Sequence, residues 1–340
     1  MKKIALILAM VMTLSACGSK QADPASSSSS TDSASSQNGQ KPVVLKLNHV
    51  MSNTDPAHTA FEELAAMVGE KSGGTLEIQV YGNAELGSNK DNLEQIKSGA
   101  KLITVADGAL MADYVPDYSI MHGPFLYASN ENLQTLYNSE WHDKIEQASS
   151  EQGIKVLAMN WYYGKRHIIS KKPIKTPSDI KGMKVRVPSA AMWVKTMEAM
   201  GAVPTVLQWS EVYSGLEQGV VEAAEAPLAT IYTSKLHEAA KNVTLTGHFV
   251  GIIGLEMSQQ VWDSLSPEHQ SILTESIDVV GKSYSESVMA AEEKWKQKLE
   301  AEGVTLYEVD QQQFVDATQS VYGQFPEWSK DLYQNVLGSL

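Results

Sequence analysis

Cysteine is nearly absent: the 340 residues contain one, Cys17. No disulfide can form within the chain, and beyond residue 17 there is no cysteine nucleophile or cysteine metal ligand. A chain otherwise free of thiols suits export into an oxidising compartment. Arginine is almost as scarce. Arg166 and Arg186 stand against 25 lysines and lie 20 positions apart. The eight histidines form neither an HExxH nor a His-x-His pair, which argues against a zinc site. Neither G-x-S-x-G nor a phosphate-cradling glycine loop occurs, so the common serine-hydrolase and nucleotide-binding signatures are missing and no cofactor is expected. The net charge is −13, with no basic run to offset it, which excludes nucleic acid as an expected partner. An anionic ligand would have to be attracted by a local site against the overall field.

Long apolar runs are also missing. Ile4 to Leu14, behind Lys2 and Lys3, is shorter than the about 20 residues that a bilayer span requires, and it reads as a signal segment. It ends in Leu14-Ser15-Ala16-Cys17-Gly18, which resembles a bacterial lipobox. That resemblance implies removal of residues 1–16, diacylglycerol on Cys17 and anchoring to the outer face of the cytoplasmic membrane. The other reading is an ordinary secretory signal with an incidental cysteine. Residues 17–41, with five consecutive serines at Ser26 to Ser30, have little to bury and read as a flexible tether. Its typical reach is about 25–30 Å.

About 300 residues remain, enough for two domains or one large one. Strands are expected at Val43–Asn48, Thr75–Tyr81, Leu102–Ala106 and Ile154–Asn160, with helices at about Ala57–Lys71, Lys90–Ser98 and Glu131–Ala148 between them. After Gly164 the pattern resumes with strands His167–Ser170, Met183–Val187 and Val203–Leu207, and helices Ala190–Met200 and Ser210–Gln218. Alternating strands and helices indicate an α/β fold with a largely parallel sheet. Ser266-Pro267 is an N-cap followed by proline at the first helical position. The segment from there to Glu302 reads either as one helix under both domains, which we expect, or as two broken near Gly281.

Between Lys181 and Phe249 four elements follow in order: K-G-x-K-x-R-V-P, G-A-x-P-T, S-E-V-Y-x-x-L-x-x-G-V-V-E and K-L-x-E-x-x-K. They resemble the signature region of TRAP-transporter solute-binding proteins, the DctP family. Gly164-Lys165-Arg166 and Tyr81 to Gly87 resemble two further elements of that family, and the likeness extends over residues 43–340. It implies a two-domain, periplasmic-binding-protein-like fold with a ligand cleft between the domains and a long helix spanning both. Domain one would comprise 43–163 with 252–290, and domain two 164–251 with 291–340. It also implies capture of an organic acid and delivery to TRAP membrane permease subunits driven by an ion gradient. A ligand-sensing subunit and a surface hydrolase or lyase are the alternatives.

Arg186 matches the family arginine that grips the ligand carboxylate. Its place near a strand end, before Pro188 and a helix, is where open α/β sheets face a crevice. Arg166 matches a second arginine that contacts the ligand or braces the first. Trp209 stands where an aromatic could stack on the ligand. Asp107 corresponds to an acid near the ligand's polar end, or else caps a helix before Gly108. Tyr162 and Glu225 complete the candidate set, each with a structural role as the other reading. Ala226 departs from the family, in which asparagine commonly precedes the proline. That change, with Trp161, Tyr162, Tyr163 and Trp209 nearby, suggests an aromatic or sugar-derived monocarboxylate.

Overall fold

A computed structural model describes residues 41–340; the signal-like segment, Cys17 and all but Lys41 of the expected tether lie outside the described residues. In chain order the elements are β1 (Val43–Asn48), α1 (Pro56–Lys71), β2 (Leu76–Tyr81), α2 (Asn89–Lys97), β3 (Leu102–Ala106), α3 (Gly108–Met111), α4 (Asn130–Tyr137), α5 (Glu140–Glu151) and β4 (Ile154–Ser170). The second part adds β5 (Lys184–Val187), α6 (Ala191–Ala199), β6 (Val203–Val206), α7 (Val212–Gln218), β7 (Ala223–Pro227), α8 (Leu228–Thr233) and α9 (Leu236–Ala239). The chain closes with β8 (Asn242–Ser258), α10 (Gln259–Ser264), α11 (Pro267–Ala301), β9 (Thr305–Tyr307), α12 (Gln311–Thr318) and α13 (Leu332–Ser339).

Local signals set most helix starts. Asp55 caps α1 by accepting from Ala57 N–H, with Pro56 behind it. Ser88 and Asp91 form a reciprocal capping box at α2. Ser266 accepts from His269 N–H and starts α11 as expected. That helix runs unbroken through Gly281, about 52 Å at 1.5 Å per residue. Gly281 does not interrupt the helix: a Cβ there would overlap the Trp161 indole, so the glycine permits close packing on β4. One expected helix is in fact two, since Ser139 caps a new start at α5.

The nine strands of the described residues belong to one sheet, in the order β2-β1-β3-β8-β4-β7-β5-β6, with β9 beside β8. The flanks are parallel, as the alternation predicts: β1 with β2 and β3 on one side, β5 with β6 and β7 on the other. The centre differs. Strands β4 and β8, 17 residues each, run antiparallel from Ile154 opposite Ser258 to Ser170 opposite Asn242. The two strands expected at 154–160 and 167–170 are therefore one, and β7 and β8 were not anticipated. A strand buried on both faces shows no period-two alternation, and β8 is buried at all but three positions. The β4–β8 register slips at four places, between Val156 and Ile168, where the strands pass from one half to the other.

Each half has its own cores. Leu45, Leu47 and Ile103 pack under α1 and against Leu273, Ile277 and Val280 of α11. In the other half Val212, Leu216 and Ile231 pack with Leu299, near the far end of the same helix. The long helix thus serves both halves. Leu332 and Val336 of α13 join the core of Leu133 and Leu136 in the first half, and Asn132 Nδ2 donates to Leu340 O at 2.9 Å. The expected division had assigned this terminal segment to the second half.

Candidate functional site

Strands β3 and β5 point their carboxyl ends at a common cleft with a cavity of about 110 Å³. The first half contributes Val50, Met51, Asn89, Val105 and Asp107, and the second half Arg186, Pro188, Trp193, Trp209 and Thr230. Arg166 and Tyr163 of β4 complete the wall where the halves join. Loops beyond strand ends carry side chains without constraint from the ladder, which is why crevices of open α/β sheets collect ligand groups there.

The two arginines are in different electrostatic situations. Arg186 is 4 % exposed. Its Nε donates to Leu207 O at 3.0 Å, and its guanidinium carbon sits 5.1 Å from the centroid of Trp209. Its two terminal nitrogens have no hydrogen-bond partner among the described residues. Burial, reinforced by Arg166 and only partly offset by Glu225, pulls its pKa from 12.5 down to about 10. Among the described residues it is a cation without a salt-bridge partner, and it lines the cavity.

Arg166, in contrast, is already paired. Its Nε donates to Glu225 Oε2, and one terminal nitrogen donates to Glu225 Oε1 at 2.9 Å and to Glu225 O at 3.1 Å. Burial opposes its charge, but the Glu225 carboxylate outweighs burial and raises the pKa. Glu225 is fully buried, also accepts from Trp193 Nε1 at 3.0 Å, and does not line the cleft. Its place is behind Arg166.

Asp107 takes the helix-cap role of its two expected ones and stands at the cleft. It lines the cleft, and its Oδ1 accepts from Ala109 and Leu110 N–H, both at 3.0 Å, to cap α3. Trp209 also lines the cleft, with its ring over Arg186. Tyr162 does not reach it. That ring lies in the core with Leu133 and Ile252, and the adjacent Tyr163 faces the cavity instead. A strand sends neighbouring side chains to opposite faces, so of two adjacent tyrosines only one can face the cleft. Ala226 is fully buried among Val212 and Leu216 and is not a cleft residue, so the identity of position 226 does not shape this cavity.

Asn89, Thr230 and Trp193 line the cleft without having been candidates, and Tyr163, expected only as a nearby aromatic, lines it too. Tyr163 and Thr230 belong to a buried network. Thr230 Oγ1 lies 2.7 Å from Tyr163 OH and 3.0 Å from Asp55 Oδ2, which also receives Tyr163 OH and Thr233 Oγ1 at 3.3 Å. Asp55 begins α1 in the first half and Thr230 lies on α8 in the second, so the network ties the halves together behind the cleft. Among the described residues no three His, Cys, Asp or Glu side chains are grouped to hold a metal, and no helix is long and apolar enough to cross a membrane.

Comparison with known proteins agrees with this geometry. A family model described as bacterial extracellular solute-binding protein, family 7 (DctP), matches residues 47–327. The sialic acid-binding periplasmic protein SiaP of Vibrio cholerae is 27 % identical over 283 residues, covering 83 % of this chain and 88 % of its own. A TRAP periplasmic solute-binding protein from Ochrobacterium anthropi, solved with bound L-fuconate, superposes with a TM-score of 0.86 at 31 % identity. The match covers 88 % of this chain and 99 % of that one. Another from Desulfovibrio salexigens, in complex with diglycerolphosphate, gives 0.85 at 33 %, covering 88 % and 96 %. These relatives share the two-domain fold and are transporter-binding proteins rather than enzymes. The chain belongs to the DctP family of TRAP-transporter solute-binding proteins.

Proposed function

We propose that this protein captures an organic acid outside the cytoplasm and delivers it to the membrane permease subunits of an ion-gradient-driven TRAP transporter. The observation that carries the proposal is the unpaired fork of Arg186 in a water-accessible cleft formed by both halves. A guanidinium offers two parallel N–H donors that match a carboxylate, and the match is strongest where water is displaced. Arg166, held by Glu225, serves as a fixed neighbour whose remaining terminal nitrogen can join the same carboxylate. Trp209 and Asp107 are the further ligand contacts, while Tyr162 and Glu225 act from behind the wall.

Binding across the cleft favours whichever arrangement of the halves lets both touch the ligand, and shifts an open–closed equilibrium by that difference in affinity. Domain one comprises 43–163 with 252–290 and domain two 164–251 with 291 onward, except that α13 goes with domain one on its packing. Diacylglycerol on Cys17 holds the protein at the membrane surface.

A thermal-shift screen of organic acids tests the binding role. An acid at 100 times its Kd should stabilise the protein by about 2.7 kcal/mol. Loss of that gain in Arg186→Met ties it to the fork; no acid raising the melting temperature would refute the assignment. Metabolic labelling with a fatty acid tests the anchor, which predicts label on the parent and none on Cys17→Ser.

A further inference from the structure

We infer that the ligand of this cleft is a monocarboxylic acid bearing hydroxyl groups, and that a second negative charge on the ligand is selected against. This deepens the carboxylate-binding role proposed for Arg186 and rests on it. Arg166, Arg186 and Asp107 line the cavity, and no lysine does. Arg166 is neutralised through its fork by Glu225. Arg186 is therefore the only cation of the lining, among the described residues, that has no acidic partner.

Asp107 adds a negative group to the same wall. Its Oδ1 is engaged by the start of α3, whereas its Oδ2 has no hydrogen bond among the described residues. One free cation and one half-free carboxylate therefore meet the ligand. A single carboxylate on Arg186 matches one charge with one charge. A dicarboxylate or a phosphate monoester brings another negative charge into a cavity that has no second free cation and already holds Asp107. Like charges brought together in a partly dry site are strongly disfavoured.

Asn89 supplies the independent observation that points to hydroxyl groups. It lines the cavity at the first position of α2, and its Oδ1 is buried without a partner. A buried amide left unpaired is costly unless the ligand supplies the missing bond. A hydroxyl both donates and accepts, so it satisfies the amide in either orientation and can donate to Asp107 Oδ2. An acid with a bare alkyl chain would leave both groups unpaired. Sites built for a hydroxyl reject analogues that lack it more strongly than apolar pockets reject an added one.

The test is isothermal titration of the full chain at pH 8 against three panels of similar length. These are hydroxylated C4–C6 monocarboxylates such as L-galactonate, alkyl monocarboxylates such as hexanoate, and the dianions succinate and sn-glycerol 3-phosphate. The tightest hydroxy acid should exceed every member of the other panels by at least roughly tenfold. Asp107→Asn keeps a helix-capping side chain while removing the charge. It should shift the ratio of succinate to hydroxy-acid affinity toward succinate by roughly tenfold. A dianion or an alkyl acid binding the parent as tightly as the best hydroxy acid overturns the inference, as does an unchanged ratio in a folded Asp107→Asn. If that variant does not fold, the ranking on the parent decides alone. Binding of dianions leaves the organic-acid role standing, whereas a protein that binds no acid in a wider screen loses both.

Discussion

Arg166 and Arg186 line the same cleft, yet removing them should have different consequences for folding. In Arg186 the pKa is lowered from 12.5 to about 10, chiefly by burial. At about 1.36 kcal/mol per unit, holding this charge in the folded protein costs on the order of 3 kcal/mol. Because the folded value lies below the unfolded one, that cost is present in full below about pH 10 and disappears as pH rises through 12.5. Arg186→Met removes it. The same change loses the bond to Leu207 O, worth about 1.5–3 kcal/mol for a charged donor, and the contact with Trp209, about 0.5–2 kcal/mol. The terms largely offset one another, so the unliganded variant should lie within about 2 kcal/mol of the parent. Arg166→Met instead strands Glu225, which is fully buried, without its cation. Breaking a buried pair from one side costs about 3–5 kcal/mol. Urea unfolding followed by tryptophan fluorescence, with and without ligand, separates the cases. Arg186→Met should keep its midpoint and lose the ligand-induced gain, while Arg166→Met should lose the midpoint itself. Equal destabilisation by the two substitutions would refute the reading of one arginine as free and the other as paired.

Other substitutions probe the frame around the cleft. Gly281→Ala should destabilise by about 1–3 kcal/mol or more in chemical denaturation, because the added methyl meets the Trp161 indole. Helix propensity alone predicts a gain of about 1 kcal/mol, so a more stable variant would discount the packing argument. Asp55→Ala should cost about 2–4 kcal/mol by the same assay, from the lost cap of α1 and the hydroxyls of Thr233 and Tyr163 left without their acceptor; a cost below about 0.5 kcal/mol would show that the network does not join the halves. His248 is neutral in the fold, its pKa lowered from 6.5 to about 3 by burial and then by Arg166. With the folded value below the unfolded one, its contribution is complete above about pH 6.5 and is lost as pH falls toward 3. In His248→Asn the slope of stability against pH between 6 and 4 should therefore be shallower by about 1.4 kcal/mol per unit; an unchanged slope in urea titrations would mean that His248 does not take up that proton on unfolding.

Much of this molecule was legible in its sequence because the signals are local. Ser266-Pro267 states where α11 begins, since a capping side chain and a proline act within one turn. The strands at 43–48 and 102–106 are bounded by their immediate neighbours, and the motifs around Arg186 carried the family. Gly281 was ambiguous from sequence because its reason, Trp161, lies 120 positions away. Other decisions required knowing what lies across the sheet. Whether β4 is one strand or two depends on its pairing with β8, and which of Tyr162 and Tyr163 faces the cleft depends on the face of β4 against which the cleft forms. Arg166 and Glu225 are 59 residues apart, and only the register of β4 against β7 brings them together. Local motifs, through the family they resemble, thus marked two scarce arginines as candidates for one ligand, and both line the cleft. Which of them is free to bind it was decided by tertiary structure, because a charge is neutralised by whatever folds beside it.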